Sequence, residues 1–137
     1  RVGHIRAFTV FAAVAATTTL IYDPLFSAPT WFALRKWVLR RAKISIVVGL
    51  PRPTFMPHTH QKTALIVGEK RLQAVSHPPK GEEIMFAVSD EIGKDNTGRL
   101  QIRPGADDFA SMWDRADHDL QTILDDYADY ITTREVA

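Results

Sequence analysis

The sequence predicts an α/β fold, and three observations predict it. Residues 44–50 and 62–67 are short, nearly continuous apolar runs rich in β-branched side chains, the pattern of strands covered on both faces. A stretch of helical period precedes the first run, and a third strand-like run, at 83–88, follows the second. The tail carries the longest amphipathic helical pattern in the chain. Strands and helices in this order belong to a sheet flanked by helices.

The first segment is the least regular. From Ala7 to Tyr22 the chain runs 16 residues without a charge, between Arg6 and the pair Asp23 and Pro24. As a helix this run would reach ~24 Å, short of the ~30 Å hydrocarbon core of a bilayer. Its apolarity rests mostly on Ala and Thr, and it lacks the basic start and small-residue cleavage site of a signal peptide. A membrane-associated hairpin and a buried helix or strand at a fragment boundary both account for it. The initial Arg1, in place of a methionine, points to a fragment or a processed product.

Ser27 is placed to cap a helix running to about Ala42, with Pro29 tolerated in its first turn. Trp31, Leu34 and Val38 share one stripe, flanked by Phe32 and Leu39, and Arg35, Lys36, Arg40 and Arg41 occupy the opposite face. Cations in the last turn complement the helix dipole, so this face reads first as structural and second as phosphate-binding. Pro51, Pro53 and Pro57 make the segment after the first strand an extended loop, and Pro-rich sequence from Glu69 to Gly81 is a connector. Asp95 to Gly98 forms a turn, with loop to Gly105. Phe109, Met112, Trp113, Ala116, Leu120, Ile123, Leu124 and Tyr127 then line one face of a single helix expected from Asp107 to about Ile131. Asp114, Asp117, Asp119, Asp125, Asp126 and Asp129 fall on its outer face.

Composition bounds the function. The 137 residues make one domain's worth of chain, and 45% apolar with 24% charged residues is ordinary for a globular protein. No cysteine is present, which excludes disulfides, thiolate nucleophiles and cysteine zinc sites and fits a reducing, cytoplasmic setting. The near-neutral net charge hides an asymmetry. Residues 1–80 carry 12 Lys/Arg against two acids, a net of +10, and residues 81–137 carry 5 against 14, a net of −9. Either the basic half meets an anionic partner or the halves attract each other within one fold.

The order of motifs from the basic helix onward resembles a known family. Trp37 to Ile44 leads into Val48, Gly49, Leu50 and Pro51. Thr54, Phe55, Met56 and Pro57 follow, then Lys62 and Thr63 opening a strand to Val67 and Lys70. Downstream stand Ile84 to Val88, Glu91 to Asp95, Thr97 to Arg99, and the Asp107, Asp108, Phe109 opening of the tail. This series is similar to the C-terminal part of adenine-specific DNA methyltransferases of the type I restriction-modification kind, over about residues 36–130. The resemblance implies the end of a Rossmann-like, S-adenosylmethionine-dependent methyltransferase sheet followed by a long amphipathic helix. It also implies DNA and a specificity subunit as partners. In such enzymes the target adenine is flipped out and held between aromatic side chains. Phe55 occupies one of those positions, in the loop after the Leu-Pro strand, where stacking on a base is worth ~1–3 kcal/mol. Arg52, His58, His60 and Lys62 border the loop and read first as ordinary solvated residues and second as phosphate contacts, with Arg52 and Lys62 the weak candidates for that role.

The catalytic Asn-Pro-Pro-aromatic motif of the family is missing. His77, Pro78, Pro79 and Lys80 form a look-alike, with His for Asn and Lys for the aromatic, and they follow the stacking loop when they should precede it. The seven glycines are scattered, with no Gly-rich turn to cradle S-adenosylmethionine. No catalytic residue is therefore expected, and the chain alone is expected to bind no cofactor and to methylate nothing. Residues 1–35 are similar to a transmembrane helix and loop of major-facilitator transporters. They are treated as a segment of uncertain origin, either a divergent methyltransferase N-terminal part or a mosaic of unrelated coding pieces, and membrane association is open but not favoured. A transporter-derived fragment and a non-enzymatic interaction module with an acidic docking helix are the rival functions. His58 and His60 lack a third metal ligand, and the tail aspartates lack the loop geometry of a calcium or magnesium site. No Gly-x-Ser-x-Gly elbow occurs.

Overall fold

The computed structural model describes residues 16–22 and 28–135. Strand β1 (Ala16–Tyr22) is followed by a 3-10 turn at Pro29–Trp31 and helix α1 (Phe32–Arg41). Then come β2 (Ala42–Leu50), β3 (Thr63–Lys70), β4 (Met85–Val88), the short helix α2 (Met112–Arg115) and the terminal helix α3 (Leu120–Glu135). The sheet order is β1-β3-β2-β4. β3 is antiparallel to both β1 and β2, and β4 is parallel to β2. Three strands, β1, β2 and β4, thus point one way, and β3 fills the gap between the first two.

β2 is central because its sequence suits burial on both sides. Ile44, Ile46, Val47, Val48 and Leu50 are all buried, as the near-continuous apolar run predicts. Alternation sorts its side chains. Val47 joins Ala64 and Ile66 under Val38 and Leu39 of α1. Ile46, Val48 and Leu50 join Leu65, Val67, Met85 and Ala87 under Leu120, Ile123 and Tyr127 of α3. A bulge between Ile44 and Ile46 adds one residue to β2 and places Ile44 on the α1 side with Val47. Gly68 faces this bulge, and a Cβ there would lie 2.7 Å from the Lys43 carbonyl oxygen, so only glycine fits.

Arg71 ties the connector after β3 to the end of α1. Its amide donates to the Arg41 carbonyl at 2.8 Å, and its guanidinium grips Glu82 with two parallel hydrogen bonds. The Arg71 guanidinium, through those bonds, holds the Glu82 carboxyl below its ordinary value against the opposing effect of burial. Of the ion pairs Arg71–Glu82, Arg115–Asp108 and Arg134–Glu83, the first alone joins the basic and acidic halves of the chain.

Several expectations need correction. The tail is not one helix from Asp107. Asp107 closes a turn by accepting from the Phe109 amide, and Ser111 caps the four-residue α2. Residues 116–118 then leave the helix: Ala116 bridges Ile102 and His118 bridges Ile92. Backbone bonds to distant loops replace the helical ones there (Asp117 N to Gln101 O and Arg103 N to Arg115 O, both 2.9 Å). Phe109, expected on the apolar face, is 97% exposed, and Leu124 of α3 is half exposed. The strand expected at 83–88 begins only at Met85, and its Phe86 and Val88 face outward, because β4 is an edge strand and α1 does not cover it. The second strand continues to Lys70, into the expected connector. Ser27, expected to cap the first helix, lies outside the described residues. Residues 16–22 of the uncharged run are a strand, not the helix of the transporter resemblance, and residues 1–15 lie outside the described residues. Among the described residues no helix is long and apolar enough to cross a membrane.

Candidate functional site

Because β1, β2 and β4 share a direction, their carboxyl ends meet at one edge of the sheet. Tyr22 and Leu50 both pair with Thr63, and Gly49 with Val88. In open α/β sheets ligands bind in the crevice outside the carboxyl ends of parallel strands. The loop from Pro51 to Lys62 leaves β2 at this edge, and Phe55 is in it.

The three prolines keep the loop out of an α-helix, but it is not extended as expected: a proline suits the first turn of a helix, and short local bonds fold the segment. The Thr54 hydroxyl donates to the Pro51 carbonyl at 2.6 Å, and the Met56 amide to the Pro53 carbonyl at 3.0 Å, closing a 3-10 turn over Arg52–Phe55. The Phe55 carbonyl then accepts from the amides of His58 and Thr59. Met56 is buried and anchors the turn, and Phe55 beside it is half-buried. Arg52 and Lys62 are exposed at either end of the loop, with no ion pair among the described residues; His58 and His60 are exposed as well.

A second loop braces the first. Lys94 donates to the Thr54 carbonyl at 3.3 Å. The turn at Asp95–Gly98 sits directly against Met56 and Pro57, with Gly98 at φ +84°. The Asp95 carboxylate organises this turn by accepting from the Thr97 hydroxyl and the amides of Thr97 and Arg99 at 2.7–2.9 Å. The Thr97 hydroxyl, followed by the Arg99 amide, holds the Asp95 carboxyl below its ordinary value. Lys94 and Gly98 were legible only as part of a turn and a motif; their contact with the Phe55 loop, some 40 residues away, left no mark in the local pattern.

Asp119, expected on an outer helical face, instead clamps the segment after β4. Its carboxylate accepts from the buried Ser89 hydroxyl at 2.6 Å, from the Asp90 amide at 2.7 Å and from the Glu91 amide at 3.3 Å. Burial alone would raise this carboxyl's pKa, but the three hydrogen bonds outweigh it and the value is lowered. A group depressed in the folded state adds stability above its unfolded pKa of ~3.9 and loses it as pH falls through the folded value. Asp119→Asn is expected to cost about 1–2 kcal/mol at neutral pH in urea denaturation. The gap to the parent chain should close as the pH drops below about 4. A gap that persists unchanged at low pH would remove the carboxylate from this role.

Ser89, His118 and Asp119 come together without forming a catalytic triad. Asp119 bonds to the serine, and the His118 ring lies against Trp113 with Nε2 2.9 Å from the Trp113 carbonyl oxygen. His118 Nδ1 is buried without a partner, so the imidazole is not linked to either residue as a relay requires. Among the described residues no group of three His, Cys, Asp or Glu side chains is arranged to hold a metal. His77 and Pro78 of the look-alike motif line a groove on α1 with Trp37 and Arg40, away from the Phe55 edge.

The described residues show no glycine cradle for S-adenosylmethionine. A cradle for it needs glycines where a strand turns into a helix, so that backbone can approach the ligand. Of the glycines with positive φ, Gly81 lies between β3 and β4, and Gly93, Gly98 and Gly105 are spread along the long connection from β4 to the four-residue α2, none of them in a tight strand-to-helix turn. Comparison with protein-family models, curated proteins and solved structures finds no match for this chain.

Proposed function

We propose that this chain is the sheet-closing, DNA-facing end of an adenine-specific DNA methyltransferase of the type I modification kind. In this reading Phe55 stacks on the flipped target base, and Arg52 and Lys62 lie beside the backbone. The rest of a Rossmann-like methyltransferase supplies the cofactor site and the catalytic amide, and a specificity subunit supplies sequence recognition. The observation that carries the reading is the position of Phe55. It lies in a turn held by Thr54, Met56 and Lys94, at the edge where three parallel strands end. A half-buried ring on a braced turn is poised to stack with little further ordering cost.

The test uses a DNA duplex with 2-aminopurine opposite an abasic site, which presents an unpaired purine. The full chain is expected to quench its fluorescence. Phe55→Ala should weaken the interaction roughly tenfold, and Phe55→Trp should restore it. With labelled S-adenosylmethionine the chain alone is expected to transfer no methyl group. Quenching that ignores Phe55, or methylation by the isolated chain, overturns the proposal.

A further inference from the structure

The exposed face of α1 departs from an ordinary solvated helix. Phe32 and Trp37 are 55% and 50% exposed, and each carries a cation over its ring. Lys36 Nζ lies 4.5 Å from the Phe32 centroid, and the Arg41 guanidinium 4.3 Å from that of Trp37. Arg40 donates from Nε to the Val75 carbonyl at 2.8 Å, and the Val75 amide returns a bond to the Arg40 carbonyl at 2.9 Å. This pair of bonds draws the connector alongside the helix and opens a groove of about 620 Å³ lined by Lys36, Trp37, Arg40, His77 and Pro78, among others.

Among the described residues no carboxylate lines this groove. Among the described residues none of Lys36, Arg40 and Arg41 has an ion-pair partner, although the chain carries 14 acids in its second half. The acidic face of α3 belongs to the other side of the sheet, since Leu120, Ile123 and Tyr127 pack on the face opposite α1. The partner therefore has to bring both negative charge and a flat apolar surface. A nucleic-acid strand brings them at regular spacing, its phosphates for the cations and its bases for the aromatic ring. An acidic peptide would satisfy the cations and leave the aromatics unused.

We propose that the groove between α1 and residues 75–78 is a contact for a single nucleic-acid strand, with phosphates at Lys36 and Arg40, which line it, and at Arg41, which stands beside it over the Trp37 ring, and a base against Trp37. It is separate from the Phe55 loop. α1 runs directly into Ala42 at the amino end of β2, so Trp37 to Arg41 lie toward the edge of the sheet opposite Phe55. The proposal does not depend on the methyltransferase reading.

The experiment titrates the full chain into a labelled single-stranded oligonucleotide and follows anisotropy at several salt concentrations. Affinity should fall with salt. The double variant Lys36→Gln/Arg41→Gln should weaken binding roughly tenfold and flatten the log–log salt slope by about 1.4, the loss of two phosphate contacts. Trp37→Ala should also cost roughly tenfold, and Trp37→Phe should retain most of the affinity. Far-UV circular dichroism confirms that each variant folds, and Trp37→Phe keeps the stacking arm readable should Trp37→Ala unfold. Absence of binding, salt-independent binding, or binding unaffected by the charge variants overturns the proposal. Displacement of the oligonucleotide by polyglutamate at equal charge also overturns it, in favour of an acidic protein partner.

Discussion

Gly98→Ala is expected to destabilise the chain by about 3 kcal/mol and to disorganise the Phe55 loop. Gly98 has φ +84°, where an L side chain is strained. Its added Cβ would stand 2.6 Å from the Met56 carbonyl carbon and 2.7 Å from both the Met56 oxygen and the Pro57 nitrogen. These are backbone atoms, so no rotamer change relieves the clash. The turn cannot back away easily either, because Asp95 holds it through the Thr97 hydroxyl and two amides. The loop of Phe55 has to move. Gly105→Ala provides the control: it has φ +74° and nothing within 4 Å of its Cβ, so it should cost only the left-handed backbone penalty of ~1–2 kcal/mol. Urea denaturation measures both variants, and the 2-aminopurine duplex measures the loop. Gly98→Ala should lose quenching and Gly105→Ala should keep it. Equal behaviour of the two would show that the turn does not brace the loop.

The comparison of sequence and structure divides by the range of the determining interaction. β2 and β3 were legible because burial on both faces leaves a nearly unbroken apolar run, and Ile44, Ile46, Val47 and Val48 have no polar residue among them except Ser45, beside the bulge. α1 was legible only in part from its stripe: Val38 and Leu39 face the core, whereas Leu34 of the same stripe is exposed. Phe32 and Trp37 show the limit of such patterns: apolarity alone does not say whether a ring is covered. The prolines announced the break after β2, because they exclude a continuing α-helix, but not the 3-10 turn at Arg52–Phe55. Its brace was invisible, since the bond from Lys94 to Thr54 spans 40 residues. Asp119 was misplaced for the same reason, as its partners Ser89, Asp90 and Glu91 lie about 30 positions earlier. The insertion of β3 between β1 and β2 likewise depends on pairing that no window of sequence contains.

The same distinction governs the tail, and a pair of substitutions resolves it. Ile46→Ala is expected to cost roughly 2–5 kcal/mol, a large share of the total for a domain of this size. Ile46 is 3% exposed in the cluster that joins β2 to Leu120, Ile123 and Tyr127 of α3, so the cavity falls where the terminal helix meets the sheet. The loss should therefore appear as one transition in which sheet and helix signals coincide. Phe109→Ala removes a larger ring but should change stability by no more than about 0.5 kcal/mol, because Phe109 is 97% exposed. A single amphipathic helix from Asp107 would reverse this order, since Phe109 would then begin its buried face. Chemical denaturation of the two variants separates the cases. A large loss from Phe109→Ala would restore the continuous helix, and a small one places the start of the packed helix at Leu120, after the bridges at Ala116 and His118 have spent the backbone bonds a longer helix would need.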